Sequence, residues 1–158
     1  MIEHLVFIGD SLTEWYDWQE RFPAYRVTNL GISGETVEEL LDRRDMVRDR
    51  IEAPDIIFLM TGINNILSER YDITVPYREI VRNLTTWYKG ATVIVQSLLP
   101  VDMPWINNNT IKTINRHLSD DPKFVVRLSA AISTLITLRQ RRYCLRKNQR
   151  RASFVATT

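Results

Sequence analysis

Cysteine and histidine are scarce in this 158-residue chain, which contains one cysteine and two histidines. A single cysteine, Cys144, excludes an internal disulfide and a cysteine-based zinc site, and two histidines are too few for a histidine-rich metal site. The sequence therefore predicts a protein that works without a metal ion or another cofactor.

Long apolar runs are also missing. No run approaches the ~18 residues of a membrane-spanning helix. The N-terminal segment "MIEHLVF" lacks the basic region and the extended apolar region of a signal peptide. We therefore expect a protein without a membrane span, located in the cytoplasm.

Acidic residues are absent from the C-terminal part of the chain. All 19 acidic residues lie within 1–126, whereas 127–158 contain eight lysines and arginines and no acid. We interpret 1–128 as one α/β domain and 129–158 as a basic segment, with a helix over 130–138 and then a frayed end. Such a segment can contact nucleic acid or an anionic membrane. It lacks regularly spaced aromatic residues for base stacking, so nucleic acid is not an expected partner, and the sequence indicates no oligomeric state.

Apolar runs and amphipathic periods alternate along residues 1–128. The strand-like runs cover 5–8, 26–30, 54–62, 91–100 and 123–128, and the helical periods cover 36–51, 76–88 and 109–118. Continuous apolar strands separated by amphipathic helices predict a parallel sheet that is covered on both faces. We therefore expect a three-layer α/β/α sandwich, with a doubly wound sheet in the flavodoxin-like strand order 2-1-3-4-5.

Small and polar residues follow the first three predicted strands. In the order 2-1-3-4-5 these strands are neighbours, so the loops after them meet at one edge of the sheet. The residues are Gly9, Asp10 and Ser11 in the first loop, Gly31, Ser33 and Gly34 in the second, and Gly62, Asn64 and Asn65 in the third. A serine hydroxyl near N–H donors is suited to acyl transfer, because the hydroxyl attacks and the donors stabilise the oxyanion.

A structural role for the same residues is the alternative interpretation. Ser11 and Glu14 match the S-x-x-E capping box, in which case Ser11 would only cap a helix. The glycines would then be ordinary turn residues, and Asn64 would only stabilise its own loop.

Three segments, "GDSLTEW", "NLGISGET" and "TGINNI", occur in this order between residues 4 and 126. Together they resemble the SGNH hydrolases, the GDSL family of esterases, lipases and acylhydrolases. The resemblance implies a serine hydrolase that cleaves small-molecule carboxylic esters, with Ser11 as the nucleophile. It also implies an oxyanion hole formed by the backbone N–H groups of Ser11 and Gly34 and by the side chain of Asn64. The third motif of the family is usually GxND, so Asn65 stands where an aspartate is usual.

Several residues near these motifs are candidates for substrate binding. Aromatic side chains follow the serine and could line an acyl or sugar pocket, with a second wall in the loop after the fourth predicted strand. Packing of the first group against the sheet is the alternative. The main candidates are Asp10, Trp15, Asn65 and Trp105, and the other aromatic and apolar neighbours are Tyr16, Trp18, Phe22 and Met103.

The catalytic Asp and His of the family form a D-x-x-H pattern after the fifth strand, and this pattern does not occur in the chain. His4 precedes the first strand, and seven residues at about 3.3 Å each place it roughly 20 Å from Ser11. His117 ends a helix that runs antiparallel to the strands, so we expect it at the opposite edge of the sheet. We therefore expect a domain that is incomplete at its C-terminal end, through a shifted reading frame, through truncation or through divergence, and slow ester hydrolysis. A catalytically silent module that binds esters or carbohydrates is the alternative function.

Overall fold

A computed structural model describes residues 1–120 and 125–126, and within them the chain forms a parallel five-stranded sheet. The strands are β1 (His4–Gly9), β2 (Arg26–Gly31), β3 (Ile56–Met60), β4 (Thr92–Val95) and β5 (Val125–Val126). Their order is β2-β1-β3-β4-β5, and every neighbouring pair is parallel. The predicted α/β class and the predicted strand order are confirmed. The predicted basic segment 129–158, with its helix over 130–138, lies outside the described residues.

Seven helices connect the strands in the described part of the chain. They are α1 (Ser11–Glu14), α2 (Trp18–Arg21), α3 (Val37–Asp42), α4 (Arg44–Asp49), α5 (Ile63–Leu67), α6 (Thr74–Trp87) and α7 (Asn108–Ser119). The helix predicted over 36–51 is two helices, because Arg43 takes backbone angles of φ −88° and ψ 15° that interrupt it. The sequence pattern does not predict α5, because five residues are too few to display a helical period.

The strands β3 and β4 are shorter than the apolar runs 54–62 and 91–100 that predicted them. After β3 the chain turns at Gly62, whose φ of +109° no extended strand contains. After β4 the backbone of Leu98 pairs with a side chain instead of a strand. The Leu98 N–H donates to Asn115 Oδ1 at 2.9 Å, and Asn115 Nδ2 donates to the Leu98 carbonyl at 2.9 Å. The apolar residues beyond each strand therefore belong to loops at one edge of the sheet.

The two faces of the sheet pack differently. One face is aliphatic, since Val6 lies level with Ile57 across β1 and β3, and both are completely buried beneath the helices. The other face is aromatic around Phe7. The Phe7 ring stacks on Trp18 of α2 with centroids 3.9 Å apart and on Phe58 of β3 at 4.8 Å. The short α1–α2 region is thereby held against the sheet directly beside the end of β1.

Candidate active site

The carboxyl ends of β1, β2 and β3 lie level with one another. Gly9 is paired with Gly31 on one side and with Met60 on the other. The Ile32 N–H donates to the Gly9 carbonyl at 2.8 Å, just after the end of β2. The loops that carry the three sequence motifs therefore leave the sheet at the same edge, as the sequence predicted.

Two glycines allow the first loop to pack closely on its neighbours. A Cβ on Gly9 would overlap the Met60 carbonyl oxygen, and a Cβ on Gly31 would overlap the backbone of Glu14. The turn that carries Ser11 therefore lies directly against the ends of β2 and β3. Gly31 fixes this contact because any larger residue would push α1 away from the sheet.

Ser11 is the first residue of α1, and Asp10 is the residue that caps the helix. Asp10 Oδ1 accepts from the Leu12 N–H at 3.0 Å. Glu14 does not complete a capping box with Ser11, since its carboxylate accepts from the N–H of Ser33 at 2.9 Å and from the Ser33 hydroxyl. The capping interpretation of Ser11 is therefore wrong. Among the described residues, no hydrogen bond involves the half-buried Ser11 hydroxyl.

Asn64 is linked to the backbone beside Gly34. Its Nδ2 donates to the carbonyl of Glu35 at 2.9 Å, which joins the loop after β3 to the loop after β2. An amide NH₂ carries two protons, so one remains for a ligand. Gly34 is exposed, has a φ of +83°, and has open space where a Cβ would stand. Backbone conformation, not crowding, therefore favours glycine there.

Asn65 faces the interior. It is completely buried, its Oδ1 accepts from the Val37 N–H at 2.9 Å, and its Nδ2 donates to Glu38 Oε2 at 2.7 Å. Arg70 lies 3.0 Å from the same Glu38 oxygen. Burial acts to raise the pKa of Glu38, but the Asn65 bond, a backbone bond and the Arg70 charge outweigh it and hold that pKa below its ordinary value. Both polar groups of Asn65 are thus engaged inside the protein, and substrate binding by Asn65 stays a prediction.

Asp10 is likewise directed inward. Its side chain is 1% exposed, and its Oδ2 has no hydrogen-bond partner within the described residues. Burial raises the pKa of Asp10 to about 6, and the charge of Glu35 adds to the shift. Burial, and then the charge of Asp10, raise the pKa of the buried Tyr77 hydroxyl. Asp10 is thus buried where it caps α1, and contact of Asp10 with substrate stays a prediction.

Neither histidine is bonded to Ser11. His4 is buried at the start of β1, with Nδ1 2.9 Å from the Glu52 carbonyl oxygen and Nε2 2.8 Å from the Thr28 hydroxyl. Ser11 follows the other end of that strand. His117 is exposed in the last turn of α7, and its carbonyl accepts from Arg78 Nη2 at 3.1 Å.

The aromatic residues after the serine divide into two groups. Trp18 is buried on Phe7, and its Nε1–H donates to the Thr13 carbonyl at 2.8 Å, so it serves the core as the alternative interpretation expected. Trp15, at the end of α1, is 48% exposed, and Trp105, between β4 and α7, is 60% exposed. Both tryptophans remain candidates for substrate binding.

A groove of about 370 Å³ lies beside β2, and none of Ser11, Gly34 and Asn64 lines it. Its wall consists of α1–α2 residues, Trp15 and Tyr16 among them, and of Val27 and Asn29 from β2. Ile32, by contrast, stands at the site edge of the sheet and is 42% exposed. Sequence reasoning missed Ile32, although an apolar residue inside the polar turn "GISG" was a usable signal.

The described residues indicate neither a metal site nor a membrane-spanning helix. Residues 1–120 and 125–126 contain no cluster of three histidine, cysteine, aspartate or glutamate side chains that could hold a metal ion. No helix within the same ranges is long and apolar enough to cross a membrane.

Comparison with known proteins matches residues 7–123 to the model of the GDSL-like lipase/acylhydrolase family. The platelet-activating factor acetylhydrolase IB subunit alpha1 of Rattus norvegicus is 28% identical over 120 residues, which are 73% of this chain and 50% of the relative. The chain thus spans about half the length of the curated relatives it matches.

Solved structures with the same fold include AlinE4, an SGNH-hydrolase family esterase. It is 17% identical with a TM-score of 0.66, and the match covers 82% of this chain and 76% of AlinE4. A lipolytic protein of the G-D-S-L family from Veillonella parvula is 21% identical with a TM-score of 0.61, and the match covers 74% of this chain and 70% of that one.

Proposed function

Because the chain belongs to the GDSL-like lipase/acylhydrolase family, we propose that it hydrolyses carboxylic esters through an acyl-Ser11 intermediate. One observation carries this proposal. The hydrogen bond from Asn64 to the Glu35 carbonyl brings a side-chain amide next to Gly34, at the edge of the sheet where Ser11 begins α1. A hydroxyl and two kinds of N–H donor at one edge are the parts that acyl transfer requires.

The reaction proceeds in two steps. Ser11 Oγ attacks the acyl carbon, its proton passes to a base, and the bond from that carbon to the alcohol oxygen breaks, so the alcohol leaves with a proton. Water then attacks the acyl-Ser11 ester, which releases the carboxylic acid and returns the proton to Ser11. Each step passes through a tetrahedral oxyanion, and the N–H groups of Ser11 and Gly34 and the Asn64 amide would stabilise it.

The proposed reaction requires a general base next to Ser11. Neither histidine is bonded to Ser11 in the described residues, and an unassisted serine hydroxyl is almost wholly protonated at pH 7. Loss of the base in a serine hydrolase costs on the order of 10⁶ in kcat, while binding and the oxyanion hole retain about 10³–10⁴ over water. We therefore expect slow, Ser11-dependent hydrolysis.

Short acyl groups are the proposed substrate class. The mammalian relatives are named as acetylhydrolases, which supports an acetyl ester as the first substrate to test. Ile32 and Trp15, both exposed, are the proposed apolar contacts for the rest of the substrate.

The test measures p-nitrophenyl acetate hydrolysis by the chain and by three variants, Ser11→Ala, His117→Ala and Ser119→Ala. Ser119 is the matched control, because it is an exposed serine at the far end of α7. We expect a rate near background in the chain, a further loss in Ser11→Ala, and no change in the other two.

A chimaeric chain provides the positive arm of the same test. In this chimaera a family-like end with D-x-x-H replaces the residues after 124, and it should gain turnover that Ser11→Ala abolishes. Failure of the folded chimaera to gain turnover would contradict the proposal. Loss of activity in His117→Ala of the unmodified chain would identify His117 as the base.

A silent binding module is the second candidate. The lack of a histidine bonded to Ser11 in the described residues favours it over an efficient enzyme. Such a module would bind a non-hydrolysable ester analogue in both the chain and Ser11→Ala, with no turnover in the chimaera carrying D-x-x-H.

A further inference from the structure

Glu35, the residue after Gly34, forms a two-pronged ion pair with Arg43. Arg43 Nε contacts Glu35 Oε1, and Arg43 Nη2 donates to Glu35 Oε2 at 2.7 Å. The same Nη2 donates to the Leu30 carbonyl at 2.8 Å, one residue before the end of β2. The side chains of Arg43 and Glu35 are 12% and 4% exposed, so the pair lies inside the protein.

The backbone of Glu35 contacts its own loop and the segment after β3. Its N–H donates to the Ile32 carbonyl at 3.2 Å, and its carbonyl accepts from Asn64 Nδ2 at 2.9 Å. Glu35 therefore connects Gly34 to Asn64. A displacement of the Glu35 backbone would therefore disturb the Gly34 N–H and the Asn64 amide together.

Stabilisation of the fold does not by itself explain a buried ion pair at this position. The cost of removing two charges from water commonly equals their attraction, so well-packed apolar residues would serve the core as well. The planar guanidinium fork does provide fixed geometry, which a lysine ammonium does not. Arg43 also takes the backbone angles that separate α3 from α4, which places its side chain back under the loop after β2.

We propose that Arg43 is a positioning residue, which holds Glu35 so that the Gly34 N–H and the Asn64 amide point at one oxyanion position. This inference rests on the proposed function. Misplacement by about 1 Å can cost on the order of 10²-fold in rate, so a loosened Glu35 would weaken both donors at once.

The first measurement is the rate at which a fluorophosphonate phosphonylates Ser11, followed by intact mass. This reaction needs no turnover, and its tetrahedral product places an oxygen in the oxyanion position. We expect Asn64→Ala to slow it about 10²-fold and Arg43→Lys to slow it about 10-fold. The double variant should react faster than the product of the two single effects predicts, because Asn64→Ala already removes one of the two donors that Arg43 positions.

Arg48→Lys is the matched control. Arg48 lies on α4, the helix that Arg43 precedes, and pairs with the carboxylates of Asp45 and Asp49, but it is on the surface. Its variant should react within about twofold of the parent chain. A general structural effect of Arg43→Lys would instead multiply with Asn64→Ala, and that result would overturn the proposal.

The second measurement does not depend on chemistry at Ser11. In ¹H–¹⁵N spectra, the Asn64 side-chain amide is assigned by its loss in Asn64→Ala. In Arg43→Lys, the resonance of the proton that donates to the Glu35 carbonyl should shift toward the position of a free amide. Glu35→Gln should give the same shift, and it replaces Arg43→Lys if that variant does not fold. Arg48→Lys should leave it in place. An unchanged Asn64 signal overturns the proposal whatever the labelling shows. If Ser11 of the parent chain does not react, the labelling series is carried out in the chimaera with D-x-x-H, where failure of Ser11 to react refutes the proposed function and leaves this signal to decide the positioning role.

Discussion

Asn65→Asp would restore the aspartate that is usual in the third motif of the family, yet we expect it to destabilise this chain. The reason is Glu38, whose Oε2 accepts a hydrogen bond from the Asn65 side-chain amide at 2.7 Å. Asn65 is completely buried. An aspartate would lose a hydrogen bond to a charged group, worth about 1.5–3 kcal/mol. It would also place two carboxylates about 4 Å apart, which costs about 4 kcal/mol at an effective dielectric constant of about 20.

Two features reduce that sum. Arg70 partly neutralises Glu38, and the new aspartate can bind a proton, because the neighbouring charge and burial raise its pKa in the folded state. We therefore expect a loss of about 2–4 kcal/mol in the free energy of unfolding at pH 7. The folded variant retains its proton to higher pH than the unfolded chain does. The deficit relative to the parent is therefore small at pH 4 and grows as the pH rises to 7.

Urea unfolding of the parent, Asn65→Asp, Glu38→Gln and the double variant tests this reasoning. In the double variant the introduced glutamine amide can donate to the introduced aspartate, so its stability should lie within about 1 kcal/mol of that of Glu38→Gln. The reasoning is refuted if Asn65→Asp costs less than about 0.5 kcal/mol at pH 7, or if Glu38→Gln fails to rescue it.

Three further outcomes are expected. Because the pKa of Asp10 is raised to about 6, its protonated carboxyl stabilises the fold below pH 4 by up to about 3 kcal/mol, and this stability is lost as the pH rises through 6. Asp10→Asn should remove this pH dependence in urea unfolding. Gly31→Ala should lower the unfolding midpoint because it displaces Glu14, whereas Gly90→Ala, with open space around it, should not. His117→Ala should leave p-nitrophenyl acetate hydrolysis unchanged, since His117 is exposed and not bonded to Ser11.

The sequence was sufficient for the strand order and for the edge where the motifs meet. Continuous apolar runs separated by helical periods carry that information, because a parallel sheet buries both faces of each strand. Motif order then places Ser11, Gly34 and Asn64 after the neighbouring strands β1, β2 and β3.

Side-chain direction could not be predicted in the same way. Asp10 and Asn65 both turn inward, one to cap α1 and one to join Val37 to Glu38. The Asn65 contacts join residues far apart in the chain, so local spacing does not contain them, whereas the Asp10 cap joins residues only two positions apart. The break at Arg43 was missed because no glycine or proline marks it in the sequence.

The place of β1 between β2 and β3 has a consequence for synthesis of the protein. The strand that Ser11 follows leaves the ribosome before both of its partners, β2 and β3. Parallel pairing requires a crossover on each side, which is slow to form because the paired segments are far apart in sequence. Until the segment after β3 has emerged and docked, a nascent chain holds Ser11 without Asn64, so the candidate site is not yet assembled.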